Sequence, residues 1–267
     1  MRPEPGDLRA EPDSLLPEPD SLLPEPVEGP ARSVVPLIGL AHGSRHAEGG
    51  AAIERLMAAV SEAGEMPAGY AYLDLAEPDL DTAAAALAAT GHRRAVVVPL
   101  LFTVAFHATI DVPQAVLAAA QSSGVELQIA DILGTGDDIA DLLIAGLAEA
   151  GGAVGASVLL YAVGSSNPAA NAAVVDLAAR LETTLSAPVR AAFATCAPRP
   201  AEVAGQLGEP AVVLPLFLSD GLLLDPVRAL AAERGWTVVE PLGERAAGVV
   251  LDRYRAAVHE PVDRFDQ

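Results

Sequence analysis

Residues 34–45 read VVPLIGLAHGSR, an apolar run of strand length that stops at His42 and is followed by Gly43-Ser44. The pattern returns 121 residues later, where Gly164-Ser165 falls on Gly43-Ser44. Apolar residues at helical spacing follow in both copies, so each copy predicts a buried strand, a tight turn and a helix. His42 has no counterpart in the second copy, because Val163 stands at that position.

The same alternation of strand-length apolar runs and helical periods continues through the chain. The predicted strands are Val34–Ala41, Tyr70–Leu75, Ala95–Leu101 and Val125–Ile129 in the first copy, and Ser157–Ala162, Val189–Ala194, Ala211–Leu218 and Thr237–Glu240 in the second. The offset between copies shrinks from 121 to 116 and then 109, which indicates shorter loops in the second copy. The fold class is therefore predicted to be α/β: two similar domains, each a parallel sheet flanked by helices, with a cleft between them.

Three segments are predicted along the chain. Residues 1–32 form a tail in which EPDSLLP occurs twice in succession, and proline at this density opposes helix formation, so we expect disorder there. A solvated tail without an essential role is favoured over a docking role for its Ser-Leu-Leu copies. Residues 33–151 form the first domain, which carries the candidate site, and residues 152–267 form a degenerate second domain.

Composition excludes several classes of function. The net charge is −20, with 16 basic residues, all arginine, against 36 acidic ones, so we expect neither nucleic acid nor a membrane surface as a partner. No apolar run approaches the length of a membrane-spanning helix, and no segment resembles a secretory signal. The single Cys196 cannot form a disulfide within the chain, and a cysteine-poor α/β chain is typical of the cytoplasm.

Three side chains with metal-binding chemistry follow predicted strands of the first domain. His42 and His107 each come after an apolar run, and Asp74 closes the second predicted strand. The carboxyl ends of parallel strands meet at one edge of a sheet, so we expect these groups to lie together. Two imidazoles and a carboxylate suit a divalent metal and leave positions open for a substrate. The second copy has no imidazole at either equivalent position, which favours a chemical role over a structural one.

These motifs, in this order, resemble the class II tetrapyrrole chelatases, the sirohydrochlorin chelatase family, in its long two-domain form. The resemblance is strong over about residues 34–135 and is carried by the motifs HGSR at 42–45, YLDLAEP at 72–78, VVVPL at 96–100 and AFHATIDVP at 105–113. The chain departs from the family pattern at Asp74, where the family more often has Glu, and at Ala105, where it has Gly.

The resemblance implies insertion of Co2+ or Fe2+ into sirohydrochlorin, for cobalamin or siroheme biosynthesis. It implies that His42 and His107 bind the metal and remove pyrrole protons, and that Asp74 adds a carboxylate. The metal is then a substrate, and we expect no tightly bound cofactor. The substrate is strongly anionic, so donors at the start of the first helix are candidates for binding its carboxylates. These are Gly43, Ser44, Arg45 and His46.

Several alternatives remain open at this stage. Asp74 caps the helix that begins near Pro78, or it is a metal ligand. The chain is a chelatase, or it is a non-catalytic carrier of metal or tetrapyrrole. A histidine phosphatase is disfavoured, because that chemistry needs Arg immediately before the nucleophilic histidine and Ala41 stands there. Two fused domains remove the need for a homodimer to frame the cleft, so we expect a monomer.

Two further loops have structural predictions. Asp111 precedes Val112-Pro113 as an N-cap residue would, and this role would also fix the loop of His107. Residues 164–168, GSSNP, are predicted to retain a helix-start turn without a second catalytic site.

Overall fold

A computed structural model describes residues 34–43, 47–104, 110–151 and 155–259. Strands and helices alternate through the first half of this part of the chain, as the apolar periodicity predicts. The elements are β1 (Leu37–Ala41), α1 (Ala47–Gly64), β2 (Ala68–Tyr72), α2 (Leu80–Ala89), β3 (Arg94–Pro99), α3 (Val112–Ser123), β4 (Glu126–Ile129) and α4 (Asp137–Glu149).

The second half repeats this order with shorter connections. Its elements are β5 (Ser157–Ala162), α5 (Pro168–Leu185), β6 (Val189–Phe193), α6 (Pro200–Val203), β7 (Ala211–Pro215), α7 (Asp225–Arg234), β8 (Thr237–Val238) and α8 (Ala247–His259). Two 3₁₀ segments, Ala204–Gln206 and Gly243–Ala246, follow α6 and precede α8. None of the helices in the described ranges combines the length and apolarity needed to cross a bilayer.

The strands form two parallel sheets with the same topology. Their orders are β2-β1-β3-β4 and β6-β5-β7-β8. The central strands β1 and β5 are buried along their whole length, which explains their nearly continuous apolar sequences. The predicted fold class, two similar parallel α/β domains, is confirmed.

Strand register confirms the internal repeat residue by residue. Leu37 lies opposite Ala68 across β1 and β2, and Val158 lies opposite Val189 across β5 and β6, an offset of 121 in both strands. The third strands of the two sheets are offset by 116 and the fourth strands by 109. The second half has therefore lost loop residues and kept its strand pairing.

The second strand ends earlier than the sequence predicts. It was expected over Tyr70–Leu75, whereas β2 spans Ala68–Tyr72, so Asp74 lies in the loop beyond the strand and does not close it. Beyond Tyr72 the chain turns back: Leu75 has a left-handed backbone, with φ of 66°, and the N–H of Tyr72 donates to the carbonyl of Pro78 at 2.9 Å. The apolar residues of this loop gave no sign of that turn. Smaller differences of one to three residues occur at the ends of other strands.

Both halves contribute to one hydrophobic core. Leu56 of α1 and Leu160 of β5 belong to the same buried cluster, and both are inaccessible to solvent. The last helix of each half packs on the other half, α8 against α1 and β3, and α4 against α5. The apolar residues at helical spacing after the first strand form the buried face of α1: Ile53, Met57 and Val60 are buried, like Leu56.

Candidate functional site

His42 directly follows β1 and lines a cleft between the carboxyl ends of the two sheets. The cleft has a volume of ≈ 920 Å³. Strand ends of both halves contribute to its walls, β1, β2 and β3 from the first half and β5 and β7 from the second. Ligands of parallel α/β proteins bind at this edge, and sites for small molecules measure roughly 300–1,000 Å³, so the cleft has the position and size of a ligand site.

Backbone hydrogen bonds hold His42 beside the loop that contains Asp74. The N–H of Leu73 donates to the carbonyl of Ala41 at 2.9 Å, and the N–H of Asp74 donates to the carbonyl of His42 at 3.0 Å. The ladder between β1 and β2 therefore continues past the last strand residues. His42 is half-buried, and it lines the cleft.

Gly43 permits this close approach of the two loops. Its φ is 102°, which residues with a side chain rarely adopt, and a Cβ placed there would lie 1.8 Å from the carbonyl oxygen of Asp74. Gly164 occupies the equivalent position in the second half, with φ of 82°, and a Cβ there would lie 2.8 Å from Cβ of Phe193. The glycine that follows β1 and β5 is therefore required by geometry in both halves.

The carboxylate of Asp74 is exposed and turned toward its own loop. Its Oδ1 accepts a hydrogen bond from the N–H of Leu75 at 2.7 Å. The side chain lines a separate depression with Glu77 and Asp79, and that depression borders the cleft through Tyr72 and Leu75. The backbones of His42 and Asp74 are adjacent, whereas Asp74 does not line the cleft that His42 lines.

Helix α2 is capped by Asp79, so the interpretation of Asp74 as its cap is wrong. Oδ1 of Asp79 accepts the N–H of Thr82 at 2.8 Å. Hydrogen bonds from Thr82 lower the pKa of Asp79 below its ordinary value of 3.8. Glu77 lies two residues before the cap and accepts the N–H of Asp79 at 3.2 Å. The remaining interpretation of Asp74, as a metal ligand, stays a prediction.

Several predicted site residues lie outside the described residues. They are Ser44, Arg45, His46 and His107. Within the described part of the chain, no group of three or more His, Cys, Asp or Glu side chains is arranged to hold a metal. The predicted set of His42, Asp74 and His107 therefore stays a prediction. Asp111 directly precedes α3, which has Pro113 in its first turn, but its side chain makes no capping hydrogen bond and its backbone is already helical, so the predicted N-cap role is not confirmed.

The second half supplies the opposite wall of the cleft. Val163 stands where the first half has His42, and Thr195 stands where it has Asp74. The predicted helix-start turn at 164–168 is confirmed, because the side chain of Asn167 accepts the N–H of Ala169 at 3.0 Å and caps α5. Asn171 fixes the same turn through two hydrogen bonds to the backbone of Ser165.

The cleft carries little charge for a protein of net charge −20. Among its described lining residues, the titratable side chains are His42, Tyr72 and Asp220. Asp220 forms an ion pair with Arg228. Burial raises the pKa of the Tyr72 hydroxyl, with smaller contributions from Tyr70 and Glu54, so Tyr72 is neutral at physiological pH.

Sequence reasoning missed one part of the cleft wall. The loop at 219–223 of the second half lines the cleft with Leu222 and Leu223, together with Phe217 at the end of β7. The signal was present in the repeat, since this loop aligns with the one that contains His107 and must lie at the same sheet edge.

Comparison with known proteins gives one family. The family model described as CbiX matches residues 36–150 and again residues 157–253. The two matches correspond to the two halves of the fold, each with its own four-stranded sheet. The comparison with curated proteins gave no match.

Three solved structures share the fold. SirB from Bacillus subtilis with Fe3+ is 22% identical with a TM-score of 0.74, and the match covers 87% of this chain and 99% of SirB. The sirohydrochlorin chelatase SirB from Bacillus subtilis subspecies spizizenii in complex with cobalt is 22% identical with a TM-score of 0.72 and the same coverage. CbiX, the terminal enzyme of siroheme biosynthesis in denitrifying bacteria, is 24% identical with a TM-score of 0.64, covering 83% of this chain and 98% of CbiX.

Proposed function

The chain belongs to the CbiX family, and we propose on that basis that it is a sirohydrochlorin chelatase that inserts Co2+ or Fe2+ into the tetrapyrrole. The observation that carries the proposal is His42, an imidazole at the carboxyl end of β1 that opens into a cleft of ≈ 920 Å³. SirB, which has the same fold, was solved with Fe3+ and with cobalt. These matches support a metal as the second substrate.

Metal insertion requires two proton transfers and partial dehydration of the metal. The two pyrrole N–H groups of the macrocycle must lose their protons, and neutral imidazoles near pH 7 accept protons and bind divalent metals. We assign these roles to His42 and His107. Asp74 is assigned a carboxylate ligand role, which would require its side chain to turn from its own depression toward the cleft that His42 lines.

Binding of the substrate's carboxylates is assigned to the start of α1. The N-terminus of a helix favours anions, and Arg45 and His46, which directly precede α1, add positive or donor groups. The proposed substrate-binding set is Gly43, Ser44, Arg45 and His46. Local donors of this kind are needed because the net charge of −20 repels an anionic macrocycle.

The choice of metal decides the pathway. Imidazole and carboxylate ligands accept Fe2+, Co2+ and Ni2+, so the ligand set is compatible with siroheme or cobalamin supply and also with nickel insertion. Anaerobic insertion rates with the three metals, for the native chain and for Asp74→Glu, would assign the metal. We further propose that the protein acts as a cytoplasmic monomer without a tightly bound cofactor.

Turnover distinguishes the enzyme from the alternative, a non-catalytic carrier of metal or tetrapyrrole. The full chain is mixed with excess Co2+ and excess sirohydrochlorin, and the absorption spectrum of the metallated product is followed. A chelatase gives many product molecules per chain above the uncatalysed rate. A spectral change limited to one equivalent would instead establish a carrier.

Replacement of His42 or His107 tests their assigned roles as metal ligand and proton acceptor. His42→Ala and His107→Ala should each abolish insertion, since each removes a metal ligand and a proton acceptor, while the thermal transition stays close to that of the native chain. His92→Ala is the matched control, because His92 lies before β3 at the opposite end of the first sheet. Native insertion rates in either of the first two variants would refute the assignment.

A further inference from the structure

The loop at 219–224 of the second half presents unusual side chains to the cleft. Its sequence is SDGLLL, and Leu222 and Leu223 line the cleft with 68% and 41% of their surface exposed. Val163 lies on the same wall and is 42% exposed. We call Val163, Leu222 and Leu223 the apolar shelf. Exposed apolar groups that share one wall of a cavity are typical of a ligand surface.

Contacts with buried residues of the second half hold the loop of the apolar shelf in place. The hydroxyl of Tyr161, a residue buried in β5, donates to the carbonyl of Leu223 at 2.7 Å. The ring of Tyr161 stacks on Phe217, with centroids 5.7 Å apart and planes at 24°. Leu224, the last residue of the loop, is fully buried. The loop is therefore anchored at Leu223 and Leu224, while the side chains of Leu222 and Leu223 stay exposed to the cleft.

The other end of the loop is also fixed. Asp220 forms an ion pair with Arg228 of α7, and the N–H of Leu224 donates to the carbonyl of Gly221 at 2.9 Å. The position equivalent to Tyr161 in the first half is Leu40, which has no hydroxyl. The tyrosine anchor is therefore a feature of the second half alone, in which the catalytic imidazoles are missing.

The two walls of the cleft thus differ in chemistry. His42 stands on the first-half wall, whereas the second-half wall combines the apolar shelf with uncharged side chains such as Ser165 and Thr195. The one acidic side chain among its described lining residues, Asp220, is paired with Arg228. A flat, conjugated, uncharged surface fits this wall better than a charged group does, because burying unpaired charge against leucine is unfavourable.

We propose that the apolar shelf receives one face of the planar tetrapyrrole, so that the metal enters from the His42 side while the carboxylates of the macrocycle stay at the rim. This inference rests on the proposed chelatase function and deepens it. Leu222 and Leu223 are then positioning residues for the macrocycle, Tyr161 holds them in place, and neither leucine touches the metal. In this proposal the second half supplies the surface on which the macrocycle lies.

Leucine-to-asparagine variants test the shelf with little change in side-chain size. Leu222→Asn and Leu223→Asn should each raise the Kd for metal-free sirohydrochlorin by about tenfold, since each removes apolar surface that binding would bury. The Kd is measured by quenching of the macrocycle's fluorescence in the full chain. The affinity for Co2+ alone, measured by calorimetry, should stay within twofold, and kcat at saturating sirohydrochlorin should change far less than KM.

A matched control and a second variant guard against effects on folding. Leu117 of α3 is 60% exposed and does not line the cleft, so Leu117→Asn should leave both affinities within twofold of native. Tyr161→Phe keeps the stack on Phe217 and removes the hydrogen bond to Leu223. It should weaken sirohydrochlorin binding a fewfold and speed amide exchange at 219–224.

Each outcome of these titrations decides between the two proposals. If the native chain binds and metallates sirohydrochlorin and both leucine variants bind it equally well, the proposed role of the apolar shelf is wrong. The proposed chelatase function is then unaffected. If the variants also lose Co2+ affinity, the leucines support the site as a whole and do not position the macrocycle. If the native chain does not bind sirohydrochlorin, both the proposed chelatase function and the proposed role of the apolar shelf are wrong.

Discussion

At the scale of single residues, the candidate site depends on a glycine as much as on the histidine before it. Gly43 lets the chain turn directly after His42, and its Cα lies against the carbonyl of Asp74. The same tight turn occurs at Gly164 in the second half, where Val163 stands in place of His42. The tight glycine turn therefore belongs to the fold, and His42 uses a turn that the fold already requires.

Gly43→Ala should destabilise the protein and impair insertion. The new Cβ would lie 1.8 Å from a backbone oxygen, at a φ of 102°, so the two loops must separate. The free energy of unfolding should fall by about 2–5 kcal/mol, the sum of overpacking and left-handed strain. Urea denaturation measures the loss, and the insertion assay reports whether His42 has moved.

Gly91→Ala separates the two causes. Gly91 has φ of 88° with open space around its Cα, so alanine there meets backbone strain without a clash. We expect a loss of about 1–2 kcal/mol and full insertion activity. Equal losses of unfolding free energy for Gly43→Ala and Gly91→Ala would show that the clash with the carbonyl of Asp74 does not contribute to the loss.

At the scale of elements, helix α2 shows how one carboxylate fixes the loop beside the site. Asp79 caps the helix through Thr82, and the preceding residues of the loop carry Asp74 and Glu77. An isolated bridge between Tyr72 and Asp79 ties the start of the loop to its end. The cap therefore fixes the position of the loop from which Asp74 would reach a metal.

Asp79→Ala should lower the melting temperature at pH 7 and have little effect in acid. The hydrogen bonds from Thr82 lower the pKa of Asp79 in the folded protein, so its contribution to stability is present above the unfolded pKa. That contribution is lost as the pH falls through the lowered folded value. Thermal unfolding of native and variant protein at pH 7 and in steps below pH 4 checks both statements.

Asp79→Asn is the matched variant for this prediction. Asparagine caps helices about as well as aspartate and does not titrate. It should keep most of the stability at pH 7 and remove the pH-dependent part in acid. If Asp79→Ala loses the same stability at pH 7 and in acid, the charged cap is not the source of the effect.

At the scale of the whole molecule, the two halves are joined by helices that cross between them. Arg253 of α8 donates to the carbonyls of Ile132 and Leu133 at 3.0 and 2.6 Å and pairs with Asp138 at 2.6 Å. Tyr254 of the same helix donates to the carbonyl of Val35 at 2.6 Å. These contacts fix the first half against the end of the second, and so fix the cleft that both halves line.

Arg253→Ala should destabilise both halves together. It leaves two carbonyls and a carboxylate without their partner in a half-buried setting, and we expect a loss of about 2–4 kcal/mol. The two halves share a core, so urea unfolding should remain a single transition at a lower midpoint. Two separated transitions would show that the halves unfold independently.

Arg255→Ala provides the control on the same helix. Arg255 and its partner Asp252 are 55% and 65% exposed, and exposed ion pairs of this kind contribute about 0–1 kcal/mol. Its midpoint should stay close to native. A loss as large as that of Arg253→Ala would indicate a general effect of charge on α8.

The sequence by itself determined the parallel α/β fold, the internal repeat and its offsets, the buried face of α1 and the position of His42 at a strand end. It determined these because hydrophobic periodicity and repetition are local properties, visible in short windows of the chain. The resemblance to the chelatases rested on motifs that are also short.

Only the tertiary structure decided where Asp74 points, which aspartate caps α2, and that a leucine loop backs the cleft. The orientation of Asp74 follows from its hydrogen bond to the N–H of Leu75, and the cap of α2 follows from the hydrogen bond between Thr82 and Asp79. The third depends on contacts between distant residues, such as Tyr161 with Leu223, 62 positions apart. Such hydrogen bonds form only after folding has brought the two groups together. A pattern within a short stretch of sequence therefore cannot predict them.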